Sequence, residues 1–97
     1  HVADCDKEWH EGDQAFSMLY KTVEACKEEG YFKNMESVGL SFIIWSTMHG
    51  LCTLHKTGHL EHMALSCAEV TTLNMDVHAL LNHNFETFVN LLEKLKN

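Results

Sequence analysis

The sequence contains a stretch of 19 residues, from Ser37 to His55, without one Asp, Glu, Lys or Arg. If this stretch is helical, with 100° between successive side chains, its apolar residues surround the helix axis almost completely. A helix on a protein surface has one apolar stripe, whereas a helix that is apolar all round has to be enclosed. We therefore expect a helix with other helices packed on every side.

Membrane insertion is the alternative that a stretch of this length raises. Two histidines, three serines, two threonines and two glycines lower its hydrophobicity, and no cluster of Lys or Arg flanks it to orient it in a bilayer. We favour a helix enclosed within a water-soluble protein, without contact to a membrane.

The rest of the chain predicts an all-α fold. The 97 residues include no proline and five glycines, which leaves few of the turns that an all-β fold needs. Apolar periodicity predicts a first helix over residues 7–29, a second from an N-cap at Asn34 to Gly58, and a last one over residues 74–95. Residues 59–70 lack a clear period, and we expect a loop with a short helical turn there.

The first predicted helix is amphipathic. Its apolar face carries Trp9, Phe16, Leu19, Tyr20, Val23 and Cys26. The other side carries the charged residues Lys21, Glu24, Lys27 and Glu28, as a solvent-facing side does. Gly30 follows the helix and can adopt the left-handed conformation that ends it.

A row of small or flat side chains follows one side of the second predicted helix. It consists of Gly39, Ile43, Ser46, Gly50 and Thr53. Small side chains allow another helix backbone to approach closely. Because one copy has too few helices to cover the second helix, we expect a homodimer, in which the second and last helices of two copies form an antiparallel four-helix bundle. From the last helix the interface would include Val77, Leu81, Phe85, Phe88 and Leu92.

Charge and motif content argue against two classes of function. With 14 acidic and 7 basic side chains the formal charge is −7, which repels a phosphate backbone, so we do not expect this chain by itself to bind DNA. No serine or cysteine lies in a glycine-rich turn, and there is no glycine-rich phosphate loop. We therefore predict no catalytic residues and no enzymatic activity.

The four cysteines, Cys5, Cys26, Cys52 and Cys67, are widely spaced and form no CxxC pair. Cys26 and Cys52 fall on apolar helix faces, where free thiols pack as small apolar groups. We expect reduced thiols and a cytoplasmic protein. Two disulfides in a secreted domain are the alternative.

Several histidines cluster after the second predicted helix. His55, His59, His62 and Cys67 follow one another at intervals of four, three and five residues, and imidazole with thiolate is a plausible metal-ligand set. The spacing matches no common zinc pattern, and Gly58 separates His55 from His59. We predict no metal and no cofactor, and keep a freestanding helical bundle that binds metal or haem through histidines as the alternative function.

The middle of the uncharged stretch carries a recognisable pattern. Residues 45–50 read Trp-Ser-Thr-Met-His-Gly, which resembles the W-H-G signature of one class of TetR-family C-terminal domains. Leu51, Leu54, and then Gly58 with Leu60 resemble the leucine-spaced helix end and turn of that class. The specific part of the resemblance covers residues 40–60.

The resemblance implies a regulatory role. In TetR-type repressors a helix-turn-helix head binds the operator, while the C-terminal helical domain holds the dimer and binds an effector that relieves DNA binding. The chain begins at His1 without an initiator methionine or an apolar leader, and no helix-turn-helix is present. We expect residues 1–97 to be a single effector-binding and dimerisation domain, with DNA bound only through an absent N-terminal domain.

In that scheme a small apolar or amphipathic effector binds between the first helix and the Trp45 side of the second. The expected lining consists of Phe16, Leu19, Tyr20, Val23, Trp45, Met48, His49 and Cys52. The alternative is that these side chains fill the core. His49, on an otherwise apolar face, needs a hydrogen-bond partner.

Overall fold

The computed structural model describes the backbone of residues 2–95 and the side chains of residues 11–95. Over this range the chain forms five helices and no strand, so the predicted all-α class is confirmed. The helices are α1 (Val2–Glu28), α2 (Ser37–Lys56), α3 (His59–Ser66), α4 (Ala68–Thr71) and α5 (Val77–Glu93). The described backbone divides into two compact units, one up to Trp45 and one from Ser46 to Leu95, and α2 continues from the first into the second.

The first unit contains α1, whose end follows the prediction. Gly30 has a φ of 100°, in the left-handed region. The N–H of Gly30 bonds to the carbonyl of Lys27, and the N–H of Tyr31 bonds to the carbonyl of Cys26, both over 3.0 Å. These two bonds form a Schellman motif, which satisfies carbonyls that have no partner within the helix. The start of α1 lies at Val2, earlier than predicted.

The start of α2 differs from the prediction, because Glu36 and not Asn34 caps the helix. The Glu36 carboxylate accepts hydrogen bonds from the backbone N–H groups of Val38, over 2.6 Å, and Gly39, over 2.9 Å. The first N–H groups of a helix have no acceptor within it, so a side chain that satisfies two of them sets the first helical residue, Ser37.

The connection between α1 and α2 contains a buried aromatic residue in an unusual conformation. Phe32 is 6% exposed and has a φ of 55°. A left-handed residue with a Cβ costs about 1–2 kcal/mol. Burying a Phe side chain contributes about 1.5–3 kcal/mol, so its burial outweighs the backbone strain.

Burial along α2 is confined to its first half. Its buried residues, as far as side chains are described, are Ser37, Leu40, Ser41 and Ile44. From Trp45 to the end of the helix every side chain is half-buried or exposed. Residues 11–95 of a single copy therefore leave the second half of α2 without buried side chains, and enclosure by a second copy stays a prediction. By its length and composition alone, α2 is long and apolar enough to span a membrane. Core helices of soluble proteins can meet the same two criteria.

The second unit contains helical structure where a loop was predicted. Residues 59–70 are mostly helical, because α3 and α4 occupy this segment, and α3 packs against both α4 and α5. Gly58, with a φ of 83°, allows the chain to turn between α2 and α3. Leu60 of α3 and Leu80 of α5, each 4% exposed, are the buried apolar side chains of this unit among the residues described.

The start of α5 is set by Asp76. Its carboxylate accepts a hydrogen bond from the N–H of Ala79 over 2.8 Å, as an N-cap side chain does. Asn74, where the helix was predicted to begin, has a φ of 52° and is not helical. The prediction was therefore early by about one turn.

Candidate functional site

Three aromatic rings from α1 and α2 form a cluster in the first unit. Phe16 of α1 lies 4.4 Å from Phe42 and 5.5 Å from Trp45, measured between ring centroids, and the latter pair meets edge to face. Phe42 and Trp45, one helical turn apart on α2, are separated by 6.1 Å. These distances are typical of favourable aromatic pairs. Phe42 remains 47% exposed, so part of the cluster is an exposed apolar surface.

Five of the eight residues predicted to line an effector site lie in this unit. Phe16 and Trp45 contact each other, as described. Leu19 and Tyr20 are half-buried on α1. Val23 is only 2% exposed and belongs to the core. Phe42, which was not predicted as a lining residue, joins the cluster because it lies one turn before Trp45.

The other three predicted lining residues lie further along α2, in the second unit. Met48, His49 and Cys52 are all exposed. The position of Cys52 on an apolar face suggested that it packs as a buried apolar group. In a single copy it does not.

A polar network lies beside the aromatic cluster on α1. Both oxygens of the Glu24 carboxylate accept hydrogen bonds, one from the Tyr20 hydroxyl over 3.1 Å and one from the Ser37 hydroxyl over 2.8 Å. The Lys27 ammonium donates to the Ser37 hydroxyl and to the Met35 carbonyl, each over 3.0 Å. Glu24 and Lys27 thus connect α1 to the start of α2 instead of simply facing solvent. Of these contacts, only the one between Tyr20 and Glu24 could be predicted from the sequence, because the two residues are four positions apart.

The network changes the pKa values of two of its members. The hydrogen bond from Ser37 lowers the pKa of the Glu24 carboxyl below its ordinary value, and the bond from Tyr20 and the charge of Lys27 act in the same direction, against burial. The bond to the Glu24 carboxylate raises the pKa of Tyr20, because the carboxylate holds the phenolic proton. The network is therefore complete when Glu24 is charged and Tyr20 is neutral.

The α1 surface also carries a depression of about 490 Å³ that does not include the expected lining residues. It is lined by Asp13, Gln14, Ser17, Met18 and Lys21. All of these belong to one helix, and none was predicted to contact an effector. A small-molecule site buries most of its ligand between several elements, so this open depression does not have the form of one.

The row of small residues predicted for the dimer interface is uniformly accessible. Gly39, Ile43, Ser46, Gly50 and Thr53 are all exposed. Ile43, at 62%, is among the most exposed large apolar side chains described. The predicted interface residues of α5 are Val77, Leu81, Phe85, Phe88 and Leu92, and all five are half-buried. The predicted dimer interface stays a prediction.

The alternative metal-ligand set of His55, His59, His62 and Cys67 is not assembled in the described part of the chain. His59 Nδ1 lies 3.1 Å from the Thr57 hydroxyl, and His62 Nδ1 lies 3.4 Å from the Ser66 hydroxyl. Cys67 donates to the Glu69 carboxylate over 3.3 Å. Within residues 11–95, no three His, Cys, Asp or Glu side chains converge on a point where they could share a metal ion.

The cysteines with described side chains are free thiols. Cys26 and Cys67 are half-buried and Cys52 is exposed. The side chain of Cys5, like that of Trp9, lies outside the described part of the chain. Reduced thiols and a cytoplasmic location stay predictions.

Comparisons of the chain with protein-family models, curated proteins and solved structures find no match. The resemblance to the TetR family is therefore carried by the residues quoted for it, chiefly those from 40 to 60. The structure places this segment in α2 and at the start of α3, with a glycine turn between them.

Proposed function

We propose that this chain is the ligand-sensing and dimerisation domain of a TetR-type transcriptional repressor, in which effector binding relieves DNA binding by a separate N-terminal domain. One observation carries the proposal: α2, a long helix without charge from Ser37 to His55, bears the W-H-G pattern and leaves large apolar side chains and the row of small residues exposed in a single copy. The all-α fold agrees with the proposal. The charge of −7 means that DNA contacts have to come from another domain.

The exposed side of α2 supports dimerisation. Ile43, which belongs to the predicted interface row, is 62% exposed, and Gly39, Ser46 and Thr53 of the same row are exposed as well. Exposed apolar surface of this kind typically marks a protein interface. Gly50 lies on the same helix, and a Cβ built on it would have no atom within 4 Å. A second copy of α2 can therefore approach this side closely. In a two-fold dimer the same residues face each other, and the half-buried seam of α5 completes the four-helix bundle.

The aromatic cluster supports the effector part of the proposal. Phe16, Phe42 and Trp45 offer ring faces and edges to an apolar or amphipathic molecule, and Tyr20 provides a hydroxyl nearby on α1. An effector acts on DNA binding only if it has different affinities for the two arrangements of the dimer.

The dimer is tested by sedimentation equilibrium of the wild type and two variants. Ile43→Glu places a charge in the expected interface, whereas Leu65→Glu changes an even more exposed apolar residue of α3 that is outside it. We expect a wild-type dimer, a monomeric and still helical I43E, and a dimeric L65E. A wild type that is monomeric at high concentration, or an I43E that remains a dimer, contradicts the proposal.

The effector site is tested by thermal unfolding and tryptophan fluorescence with a panel of apolar and amphipathic compounds. A ligand of the folded state raises the melting temperature in a concentration-dependent way. We expect a compound that raises the melting temperature also to change Trp45 fluorescence. We expect Phe42→Ala to weaken the binding of this compound more than Met18→Ala, a truncation on the far side of α1. If no compound stabilises the chain, the cluster is core packing and the effector part of the proposal is wrong.

A further inference from the structure

Two histidines that the proposed function does not use lie together in the second unit. His55 is in the last turn of α2 and His78 is in the first turn of α5. Their rings meet edge to face, with centroids 5.9 Å apart and an angle of 60° between the planes. The pair therefore links two helices that are distant in sequence.

One ring nitrogen of this pair lacks a partner. His55 Nδ1 is buried and makes no hydrogen bond. Leaving a buried polar group unsatisfied costs about 1–3 kcal/mol, so native proteins rarely do it without a reason such as an ion. His59 and His62, by contrast, have their Nδ1 atoms near hydroxyl groups. The unpartnered nitrogen distinguishes His55 from its neighbours in the chain.

The separation of the two rings suits a shared metal ion. With metal–nitrogen bonds of about 2.0–2.1 Å, two imidazoles on one ion have ring centroids roughly 5–6 Å apart, and the observed distance lies within that range. His78 is exposed, so its ring can turn towards the ion without displacing core residues.

We propose that His55 and His78 bind one divalent transition-metal ion of the class that prefers imidazole, such as Ni²⁺, Cu²⁺ or Zn²⁺, between the end of α2 and the start of α5. No third His, Cys, Asp or Glu converges there among the described residues, so water completes the coordination. The acidic chain, with a charge of −7, favours cation binding in general. The site is independent of the effector and dimer proposals.

The site is tested by isothermal titration of Ni²⁺ into the purified, untagged chain and three variants. We expect one saturable site in the wild type and in His62→Gln, the control. His78→Gln and His55→Gln each remove a direct ligand, and we expect each to weaken Ni²⁺ binding by about tenfold or more. Even the loss of a residue that only hydrogen-bonds to a metal ligand reduces metal affinity by about that factor. Circular dichroism checks folding, and because His78 is exposed, H78Q keeps the test valid if H55Q does not fold.

A second readout identifies the ligands directly. On addition of Zn²⁺, the imidazole carbon-bound proton resonances of His55 and His78 are expected to shift together in NMR spectra, with Ni²⁺ broadening the same signals. Metal is also expected to raise the melting temperature of the wild type but not of H78Q. Absence of saturable binding, unchanged affinity in H78Q, or shifts confined to other histidines overturns the proposal.

Discussion

The hydroxyl of Ser37 donates a hydrogen bond of 2.8 Å to the carboxylate of Glu24, and this bond joins α1 to the first turn of α2. The Lys27 ammonium donates to the same hydroxyl, so Ser37 is held from both sides. Hydrogen bonds to charged groups are stronger than those between neutral groups. The network therefore determines how α2 leaves the connection and, with it, how Phe42 and Trp45 meet Phe16.

The network makes the stability of the chain depend on acid pH. The pKa values of Glu24 and Glu36 are both lowered, the first mainly by the Ser37 hydroxyl and the second mainly by the N–H groups of Gly39 and Val38. A carboxyl group whose pKa is lower in the folded state stabilises that state fully when the pH is above the pKa of the unfolded state. This stabilisation is lost as the pH falls through the pKa of the folded state. We expect the free energy of unfolding, measured in urea, to decrease as the pH falls below about 4.5.

Substitutions show which groups cause this dependence. Glu24→Gln and Ser37→Ala are each expected to reduce the difference in unfolding free energy between neutral and acid pH, because each removes the bond that lowers the Glu24 pKa. Ser17→Ala changes an exposed serine of α1 and is the control. If E24Q keeps the full wild-type pH dependence, the network is not its source.

Leu40 is expected to contribute strongly to the first unit, since it is only 5% exposed. Leu40→Ala removes buried methyl groups and leaves a cavity, which costs about 2–5 kcal/mol of unfolding free energy. Met18→Ala, a truncation at a position that is 71% exposed, should change it by less than about 0.5 kcal/mol. The measurement is urea unfolding of the two variants. Similar losses of unfolding free energy in both would contradict the burial of Leu40 in α2.

Two glycine substitutions are expected to have opposite effects. Gly30→Ala places a Cβ on a left-handed residue, so it should destabilise the chain by about 1–2 kcal/mol, although the nearest atom to the new Cβ, Lys33 Cε, is at an ordinary contact distance of 3.8 Å. Gly12→Ala, inside α1 with no atom within 4 Å of the new Cβ, should stabilise it by about 0.5–1 kcal/mol. Thermal unfolding separates the cases, and a tolerated G30A would argue against the Schellman end of α1.

The cap of α5 gives a prediction for the second unit. Asp76→Ala removes the acceptor for the N–H of Ala79 and is expected to cost about 1 kcal/mol. Asp76→Asn retains an oxygen acceptor and should lie close to the wild type. Denaturant unfolding followed by circular dichroism is the measurement, and equal losses in the two variants would assign the effect to charge instead of capping.

The features that were predicted correctly depend on neighbouring residues. The end of α1 at Gly30 and the helical nature of α2 and α5 follow from spacings within a few turns. The two short helices were missed because a helix of eight residues or fewer is marginal by itself in water, and α3 is stabilised by its packing on α4 and α5. The sequence also did not predict that Glu36, and not Asn34, caps α2, since both side chains can accept a hydrogen bond from a backbone N–H.

By itself, the sequence determined that the chain is all-helical, that α2 is uncharged along almost its whole length, and that α1 and α5 are amphipathic. Only the tertiary structure decided that Val23 lies in the core while Phe16 meets Phe42 and Trp45, and that His55 lies beside His78. Helix formation is encoded in bonds and spacings within a turn or two, so a linear reading recovers it. Which side chains are buried, paired or left without a partner depends on segments far apart in the chain, and only folding brings those together.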